Sequence, residues 1–403
     1  MSIPIIILAY NRPFSLKRLL SSLSKCFFDC EVQLIISIDQ GGDSEVIDIA
    51  EEYNWPNGDK KVIVHKEKLG LKNHVIFCGD LSKDNDGVII LEDDLYVSPY
   101  FYDFALKSIN YYKSDNRIVG ISLYAHTFNE TAFLPFEPLD DSSDIFFMQL
   151  PSSWGQCWTK EQWSNFKNWY ENENKSDNNY LVPNNIEQWS KFSWKKHFTK
   201  YLIEKNKYFV YPRVSLTTNF AEKGTHIKEK TEVFQVALQM KEKDFLFINL
   251  DDSAAVYDAF CEIIPDRLNL LFPKLSTYNY EVDLYGMKPL KKITKEYLLS
   301  TKKPESPVFS FGRDFKPMEI NIIEGNDGDE IFFGLTSSFL EKKTRYTKDQ
   351  LLYYYKLSDF HIHALFDEYK LNSIIAGMPI REIIRLFWEV LKRKFFHAKK
   401  KSN

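Results

Sequence analysis

The fold is decided by the stretch Gly87-Val88-Ile89-Ile90-Leu91-Glu92-Asp93-Asp94-Leu95, in which an apolar segment stops at three consecutive carboxylates. A continuous apolar run is typical of a strand that is buried on both faces of a sheet. In open α/β sheets, ligands bind beyond the carboxyl ends of such strands. Three acids at that position therefore predict a divalent metal that holds a phosphate.

The acidic residues have two interpretations at this point. In an extended strand alternate side chains share a face, so Glu92 and Asp94 are expected to project together and Asp93 to point the other way. The alternative is that the acids belong to the start of the next helix, where negative charge stabilises the helix dipole. In that case Ser98 would be the N-cap and Pro99 the first helical residue.

The first 125 residues alternate apolar and amphipathic segments, which predicts a parallel sheet covered by helices on both faces. The predicted strands cover residues 3–9, 32–39, 61–65, 87–91 and 118–122, and the predicted helices start near residues 13, 44, 72 and 99. Polar residues follow three of these strands, in Tyr10-Asn11-Arg12, Asp39-Gln40-Gly41 and the acidic triplet. Because the carboxyl ends of parallel strands meet at one edge, we expect these three groups to lie together.

Composition excludes several classes of protein. A length of 403 residues predicts two or three domains, and a net charge of -4 gives no general electrostatic footprint for nucleic acid. The five cysteines form no CxxC pair, which favours a reducing cytoplasm over a disulfide framework or a structural zinc site. Apolar runs stay below the roughly 18 residues of a membrane span, so we expect a soluble or peripheral protein.

Aromatic residues are concentrated between residues 140 and 213, a segment that contains six of the eight tryptophans. These six are Trp154, Trp158, Trp163, Trp169, Trp189 and Trp194. Most of them are expected to pack in the core, because aromatic rings dominate burial energetics. The alternative for some of them is an apolar face on which a sugar ring lies.

The composition changes beyond about residue 285, and residues 286–403 are predicted to form an accessory region. A small β unit is expected over Glu319–Leu335, with the turn Asn326-Asp327-Gly328 giving hairpin chemistry. A final amphipathic helix starts at Pro379 and ends in a lysine-rich tail. This basic helix suits an anionic membrane surface, and the alternative is a helix packed on its own domain with a solvated tail.

Seven motifs occur in a characteristic order along roughly residues 3 to 240. They are Leu8-Ala9-Tyr10-Asn11-Arg12-Pro13, Ile36-Ser37-Ile38-Asp39-Gln40-Gly41, Leu69-Gly70-Leu71-Lys72, Leu91-Glu92-Asp93-Asp94-Leu95, Pro99-Tyr100-Phe101-Tyr102, Ser153-Trp154-Gly155-Gln156-Cys157-Trp158-Thr159, and Thr217-Thr218-Asn219-Phe220 with Gly224-Thr225-His226. Their order resembles the GT-A superfamily of glycosyltransferases. Within it, the sequence is similar to the β-1,2-N-acetylglucosaminyltransferases of the N-glycan pathway and their bacterial relatives. A Walker-type loop and a GxGxxG motif are both missing from the sequence.

The resemblance implies a fold and a domain organisation. The fold class would be α/β of the GT-A type, a Rossmann-like nucleotide-binding sheet flanked by helices, with a smaller acceptor-side subdomain and a C-terminal α+β or helical extension. Residues 1–285 would form the glycosyltransferase domain, with a nucleotide-sugar-binding half at 1–125 and an acceptor half at 126–285. Residues 286–403 would be the accessory region with the basic amphipathic helix.

The resemblance also implies roles for individual residues. Asp94 would ligate Mn²⁺ (or Mg²⁺), Asp39 would contact the uracil, and Glu92 and Asp93 would contact the ribose or the donor sugar. The donor-binding residues that it implies are Ala9, Arg12, Asp39, Lys72, Glu92, Asp93 and His226. Of these, Arg12, Lys72 and His226 would face the diphosphate, while Trp154 and Gly155 would lie on the acceptor side.

The catalytic base is where the sequence departs from the family pattern. Inverting members use a carboxylate to deprotonate the acceptor hydroxyl. The corresponding stretch, residues 189–196, contains no acid in this chain. Glu187 is the nearest candidate, and Asp177 and Glu173 are alternatives.

The expected function is a metal-dependent, inverting transfer of a hexosyl or N-acetylhexosaminyl group from a nucleotide-sugar, most simply UDP-linked, to a hydroxyl of a glycan. The acceptor would be a glycan or a lipid-linked glycan, as in the synthesis of a bacterial surface polysaccharide. The expected location is the cytoplasm, on the inner face of the cell membrane if the basic helix makes peripheral contact. The alternative is a catalytically silent protein of this fold that binds glycans or acts as a scaffold.

Overall fold

The computed structural model describes residues 3–173, 180–220, 232–340, 346–358, 378–385 and 387–388. Backbone contacts divide the chain into two units, Met1–Thr344 and Arg345–Asn403, which are treated separately below. In the first unit the strands are β1 Ile5–Ala9, β2 Leu34–Ile38, β3 Lys60–Val64, β4 Gly87–Glu92, β5 Leu95–Val97, β6 Ile118–Ser122, β7 Phe128–Asn129, β8 Leu134–Pro135, β9 Ile145–Met148, β10 Gln156–Thr159, β11 Tyr208–Pro212, β12 Thr217–Asn219, β13 Val256–Tyr257, β14 Tyr280–Asp283, β15 Tyr297–Ser300, β16 Phe309–Phe311 and β17 Ile331–Leu335. The helices are α1 Pro13–Leu23, α2 Ser44–Glu52, α3 Gly70–Asp80, α4 Phe101–Tyr112, α5 Lys160–Glu171, α6 Asn184–Gln188, α7 Trp194–Glu204, α8 Pro265–Leu271 and α9 Glu319–Ile323.

A nine-stranded sheet with the order β13-β9-β11-β6-β10-β4-β1-β2-β3 forms the centre of this unit. The pairs around β1 and β2 are parallel, as are β11 with β6 and β13 with β9. Antiparallel pairing occurs where β10 enters between β4 and β6, and where β11 meets β9. The predicted α/β class with a mostly parallel sheet is confirmed.

The sequence explains why the first half folds in this way. All residues of β1 and β2 are buried, as is β4 up to its last residue, so these strands form the centre of the core. Helix α1 starts at Pro13, where the missing N–H costs nothing, and buries Leu16, Leu19, Leu20 and Leu23 along one face. Each fully buried leucine contributes roughly 1.5–3 kcal/mol relative to an exposed one.

The acidic residues do not belong to a helix start. Strand β5 separates them from α4, whose first residue is Phe101 and whose N-cap is Tyr100. Strand β5 pairs with β12 and is buried at Leu95 and Val97. The helix-start interpretation of the acids is therefore wrong, and so is the placement of the N-cap at Ser98.

Most of the tryptophan-rich segment packs as core, as predicted for most of its members. The rings of Trp158 and Trp163 stack with their centroids 4.9 Å apart, and both side chains are buried. Thr159, which follows Trp158 in the sequence, is the N-cap of α5 and forms a capping box with Gln162. Trp154 and Trp189 are only partly buried and belong to the site described below.

A second sheet of four strands, with the order β14-β15-β17-β16, spans residues 280 to 335 within the first unit. The expected hairpin over Glu319–Leu335 is wrong. Residues Glu319–Ile323 form α9, and β17 pairs antiparallel with the earlier strand β16. The short apolar run Ile320-Asn321-Ile322-Ile323 is compatible with either structure, and helical periodicity over five residues cannot be distinguished from a strand.

The second unit is described in part. Helix α10, Lys348–Tyr354, begins with a capping box between Thr347 and Gln350, and residues 380–385 are helical. The apolar side chains of Ile380, Ile384, Phe387 and Trp388 are exposed. Among the residues that the structure describes, no helix combines the length and the apolar character that crossing a membrane requires.

A buried ion-pair cluster connects the start of the small sheet to the rest of the first unit. Lys288, whose side chain is 1% exposed, contacts the carboxylates of Asp258 and Glu281, at 2.5 Å each. Asp283 accepts from the backbone N–H of Lys288 at 2.8 Å and from Nζ of Lys302 at 3.0 Å. Burial raises the pKa of Asp258 and Asp283, while the neighbouring lysines oppose that rise.

Replacing Lys288 should therefore lower the free energy of unfolding. K288M retains the volume of the stem but leaves buried carboxylates without their counter-charge, so we expect a loss of about 3–5 kcal/mol in the free energy of unfolding. Denaturant titration followed by circular dichroism measures this loss. The matched control is K291M, at an exposed lysine three residues along, which should change stability by less than about 0.5 kcal/mol. Equal midpoints for the two variants would contradict the role of the cluster.

Candidate functional site

The acidic turn is fixed against the end of β1. Residues 93 and 94 form a turn after β4, and the backbone N–H of Asp93 donates to the carbonyl of Leu8 at 3.0 Å. The backbone N–H of Tyr10 lies 3.4 Å from Oδ2 of Asp93. The predicted meeting of the first loop and the acidic triplet at one sheet edge is thus found in the structure, and Ala9 is the last residue of the strand below it.

Arg12 contacts both aspartates of the turn. Its Nη1 donates to Oδ2 of Asp94 at 2.6 Å, and its Nη2 forms an ion pair with Oδ1 of Asp93. Because residues 93–94 turn instead of continuing the strand, the expected alternation, with Asp93 pointing away from Asp94, is wrong. The phosphate contact predicted for Arg12 remains a prediction, since its guanidinium pairs with carboxylates here.

The charges at this edge are not balanced. Burial, followed by the charge of Asp94, raises the pKa of Glu92 to about 8, and Arg12 and Lys195 oppose that rise. Burial also raises the pKa of Asp93 to about 6, against the effect of Arg12. Burial disfavours the charge of Arg12 itself, but Asp93 and Asp94 outweigh it and raise its pKa. With Glu92 largely protonated at pH 7, two aspartates face one guanidinium, which leaves an electrostatic demand for another cation.

Asp94 has the chemistry to bind that cation. Its Oδ1 is buried and has no hydrogen-bond partner among the described residues. A free carboxylate oxygen is a hard ligand that suits Mg²⁺ or Mn²⁺. The described residues contain no group of three or more His, Cys, Asp or Glu arranged around a common metal position. A cation at Asp94 would therefore take most of its ligands from water and from a bound phosphate, as Mg²⁺ commonly does.

Asp39 holds the start of α3. Its Oδ1 accepts from the backbone N–H groups of Leu69 at 2.7 Å and Gln40 at 2.9 Å, and its Oδ2 accepts from Gly70 at 2.9 Å. The side chain is buried, so these charge-assisted bonds fix the loop between β2 and α2 against the N-terminus of α3. The contact with a nucleotide base that was predicted for Asp39 remains a prediction.

Lys72 and His226 are not brought to the acidic turn by any described contact. Lys72 donates to the carbonyl of Lys191 at 3.4 Å, and its ammonium lies 5.6 Å from the ring centroid of Phe192. His226 lies outside the described residues, as does Asp177. The roles predicted for these residues at the diphosphate therefore stay predictions.

Two of the three sequence candidates for the base, Glu187 and Glu173, form ion pairs with other residues. Glu187 lies on α6 with a side chain that is 41% exposed, and its Oε1 pairs with Nζ of Lys292 at 3.0 Å. Glu173 contacts His197 at 2.5 Å and Lys200 at 3.3 Å. His197 and Lys200 are among the groups that lower the pKa of Glu173, against the effect of burial. A carboxylate held in this way is a weak base.

An open cleft lies beside these elements, and the empty space in it, including the solvent at its mouth, is about 480 Å³. Trp154, predicted on the acceptor side, lines it together with Trp189, Lys195 and Glu130. Gly155 follows with φ +88°, and a Cβ there would lie 2.8 Å from the Cγ2 of Thr217, so only glycine fits. The cleft is also lined by Tyr124, His126, Asn129, Thr131, Ser152, Asn185 and Cys261.

Lys195 acts electrostatically on both the acidic turn and the cleft. Its positive charge is one of the two that lower the pKa of Glu92 against burial, and it also acts on His126 in the cleft. Burial lowers the pKa of His126 to about 4, so the imidazole is neutral at pH 7. Glu130 and Lys195 both line the cleft, and neither was singled out from the sequence. The lysine pair at 195–196, in the stretch where an acid was expected, was the one available signal.

Comparison with solved structures finds likenesses in overall fold. TarS of S. aureus (residues 1–349) in complex with UDP-GlcNAc aligns with 56% of this chain and 60% of its own length, at 15% identity and a TM-score of 0.35. GalNAc-T7 with UDP, GalNAc and Mn²⁺ covers 53% of this chain and 43% of its own, at 12% identity and a TM-score of 0.38.

The mannosyltransferase PcManGT from Pyrobaculum calidifontis, in complex with GDP-Man and Mn²⁺, covers 40% of this chain and 46% of its own, at 10% identity and a TM-score of 0.29. No protein-family model matches the sequence, and a search of curated proteins finds no significant match. The class that the fold itself defines is a mixed α/β protein with a large, mostly parallel central sheet. Likenesses of this size do not identify the reaction, and no β-1,2-N-acetylglucosaminyltransferase is among these three structures.

The bonds of Asp39 lead to a stability prediction. D39A removes a buried acceptor from three backbone N–H groups, so we expect a loss of roughly 2–3 kcal/mol in the free energy of unfolding. Urea titration measures it. The comparison variant is D43A, at the N-cap of α2, where the side chain accepts one N–H from Glu45 and the expected loss is about 1 kcal/mol. If D39A is as stable as the wild type, its carboxylate does not hold α3.

Proposed function

We propose that the chain is a metal-dependent glycosyltransferase that moves a sugar from a nucleotide-sugar donor to an acceptor hydroxyl. The observation that supports this most directly is the acidic turn at the end of β4, where Arg12 pairs with Asp94 and a buried oxygen of Asp94 has no partner in the described part of the chain. A turn of this kind beyond the carboxyl end of a central parallel strand is suited to a ligand that carries phosphate.

The proposal assigns a role to each residue at the carboxyl edge of β1, β2 and β4. A divalent cation at Asp94 would supply Lewis-acid stabilisation of the diphosphate leaving group. Arg12 has a planar, permanently charged fork that matches phosphate oxygens as well as carboxylates, so it positions the diphosphate. Glu92 and Asp93 orient the ribose or donor sugar. Ala9 and Asp39, at the ends of β1 and β2, would contact the nucleobase of the donor.

The base that activates the acceptor is proposed to be Glu130. It is the only carboxylate among the described residues that line the cleft, whereas Glu187 is held by Lys292 outside that lining. An acceptor hydroxyl bound in the cleft would give its proton to Glu130 as its oxygen forms the new bond to the anomeric carbon and the bond to the diphosphate breaks. Attack from the face opposite the leaving group inverts the anomeric configuration.

The finer features of the proposal follow from the sequence resemblance. The donor is a UDP-linked hexose or N-acetylhexosamine, and the acceptor is a glycan or lipid-linked glycan of a bacterial surface polysaccharide. The reaction takes place in the cytoplasm. The cation is Mn²⁺ or Mg²⁺, since hard oxygen ligands favour either one.

The donor site is tested at Asp94. Calorimetric titration of UDP in the presence of Mn²⁺ should show binding at least about tenfold weaker in D94N, because one carboxylate ligand loses its charge. The control is D103N, at an acid of α4 that pairs with Lys107 on the surface and should bind UDP as the wild type does. Unchanged UDP and Mn²⁺ affinity in D94N would show that the metal assignment is wrong.

Slow donor hydrolysis distinguishes the enzyme from its silent alternative. Incubation of the wild-type chain with Mn²⁺ and a panel of nucleotide-sugars should release free nucleotide from one of them, and D94N should reduce that release. Chromatography of the nucleotides measures it. Absence of release from every donor, with glycan binding retained, would favour a catalytically silent glycan-binding or scaffold protein.

The exposed apolar residues of the second unit lead to a membrane prediction. Ile380, Ile384, Phe387 and Trp388 are exposed and precede a lysine-rich tail, so the full chain should float with liposomes that contain anionic lipid. A variant that ends at Gly377 should remain in the lower fractions. Neutral liposomes serve as the control, and equal flotation of both chains would remove the membrane proposal.

A further inference from the structure

Lys195 places a positive charge in the cleft. Lys195 lies with its Nζ 5.7 Å from the ring centroid of Trp154 and 5.3 Å from that of Trp189. It forms no ion pair with any residue that the structure describes, whereas the next residue, Lys196, donates to the carbonyls of Glu187 at 2.6 Å and Trp189 at 2.8 Å. Lys196 therefore has a structural role, and the ammonium of Lys195 remains available to a ligand.

The local helix adds to this positive charge. Lys195 is the second residue of α7, whose first turn contains no acidic residue and whose N-cap, Ser193, makes no side-chain capping bond. The N-terminus of a helix carries a partial positive charge, so a lysine in the first turn is unfavourable unless an anion compensates it. The sequence around Ser193 accordingly places two sources of positive potential at one side of the cleft.

An unsatisfied polar group lines the same cleft. Oγ of Ser152 is buried and has no hydrogen-bond partner among the described residues, in a residue that is only 4% exposed. The amide of Asn185, whose Oδ1 accepts from the hydroxyl of Thr131 at 2.9 Å, also lines the cleft. Buried polar atoms normally find partners, so the hydroxyl of Ser152 points to a polar ligand.

Aromatic surfaces define the rest of the ligand. The half-buried rings of Trp154 and Trp189 both border the cleft, and Tyr124 packs edge-on against Trp154 with the centroids 4.7 Å apart. Partly exposed rings give flat apolar surfaces against which the C–H face of a pyranose can lie, while hydroxyls and amides at the margin contact its polar groups.

We infer that this cleft binds a saccharide that carries a carboxylate or phosphate group, with the ring against Trp154 and Trp189 and the anion at Lys195 and the N-terminus of α7. Under the proposed function, on which this inference rests, that saccharide is the acceptor, and Glu130 faces its reacting hydroxyl. The sequence resemblance implies a glycan acceptor, and the inference specifies in addition that this glycan is negatively charged.

The competing source of the anion is the donor. Lys195 also acts on Glu92, so its ammonium is close enough to the acidic edge for a donor phosphate to be considered. Its position between two tryptophan rings that line the cleft favours the acceptor. The two sources differ in what a substitution of Lys195 affects, namely the binding of sugars or the binding of UDP.

Direct binding of simple probes to the full chain tests the inference. Saturation-transfer NMR should show glucuronate and glucose 6-phosphate binding at least about tenfold more tightly than glucose. In K195M this preference should fall to within about twofold, and in K195R it should be retained. W189A should weaken all three sugars. The control K205M, at the C-terminal end of the same helix, should behave as the wild type.

Two results would overturn the inference. One is an equal affinity for glucose and the two acids in the wild type. The other is an undiminished preference for the acids in K195M, and if K195M also loses UDP affinity in calorimetry, that result would assign Lys195 to the donor. Because the probes bind without donor, D94N should show the wild-type preference. The sugar-binding test can therefore be interpreted even if the proposed donor site at Asp94 is wrong.

Discussion

The contact between Arg12 and the two aspartates of the acidic turn is the interaction on which the rest of the edge depends. Three carboxylates at the end of a buried strand repel one another, and burial adds to the cost of their charge. The guanidinium lowers that cost by pairing with Asp93 and Asp94 together, and it also connects the loop after β1 to the turn after β4. The compensation is incomplete, and the negative charge that remains makes the edge receptive to a cation.

The central strands could be predicted because their environment is simple. A strand with neighbours on both sides and helices on both faces has to be apolar throughout, as β1, β2 and β4 are. Where the local signal is short, prediction fails. The turn at 93–94 contains neither glycine nor proline, so the alternation of an extended strand was the natural expectation. Residues Glu319–Ile323 were likewise too few to show whether a helix or a strand would form.

The candidate site likewise contains residues whose proximity could be predicted and residues whose proximity could not. The proximity of Arg12 and Asp94 could be predicted, because the carboxyl ends of parallel strands share an edge. Glu130 and Lys195 could not, since they come from a loop after β7 and from α7, and only tertiary packing brings both to the cleft. Glu187 is only eight residues from Lys195, yet its exposed side chain on α6 pairs with Lys292, and its role as a base stays a prediction.

The small sheet has a consequence for the wall of the cleft. Lys288, in the loop that follows β14, contacts Asp258, and the loop that begins at Asp258 contributes Ala259 and Cys261 to the cleft wall. Among the described residues, the acidic turn has no ion pair with the small sheet. Substitutions in the small sheet can therefore alter the shape of the cleft and leave the acidic turn unchanged. If the proposed function holds, related chains could differ in their acceptors and share one mode of donor binding.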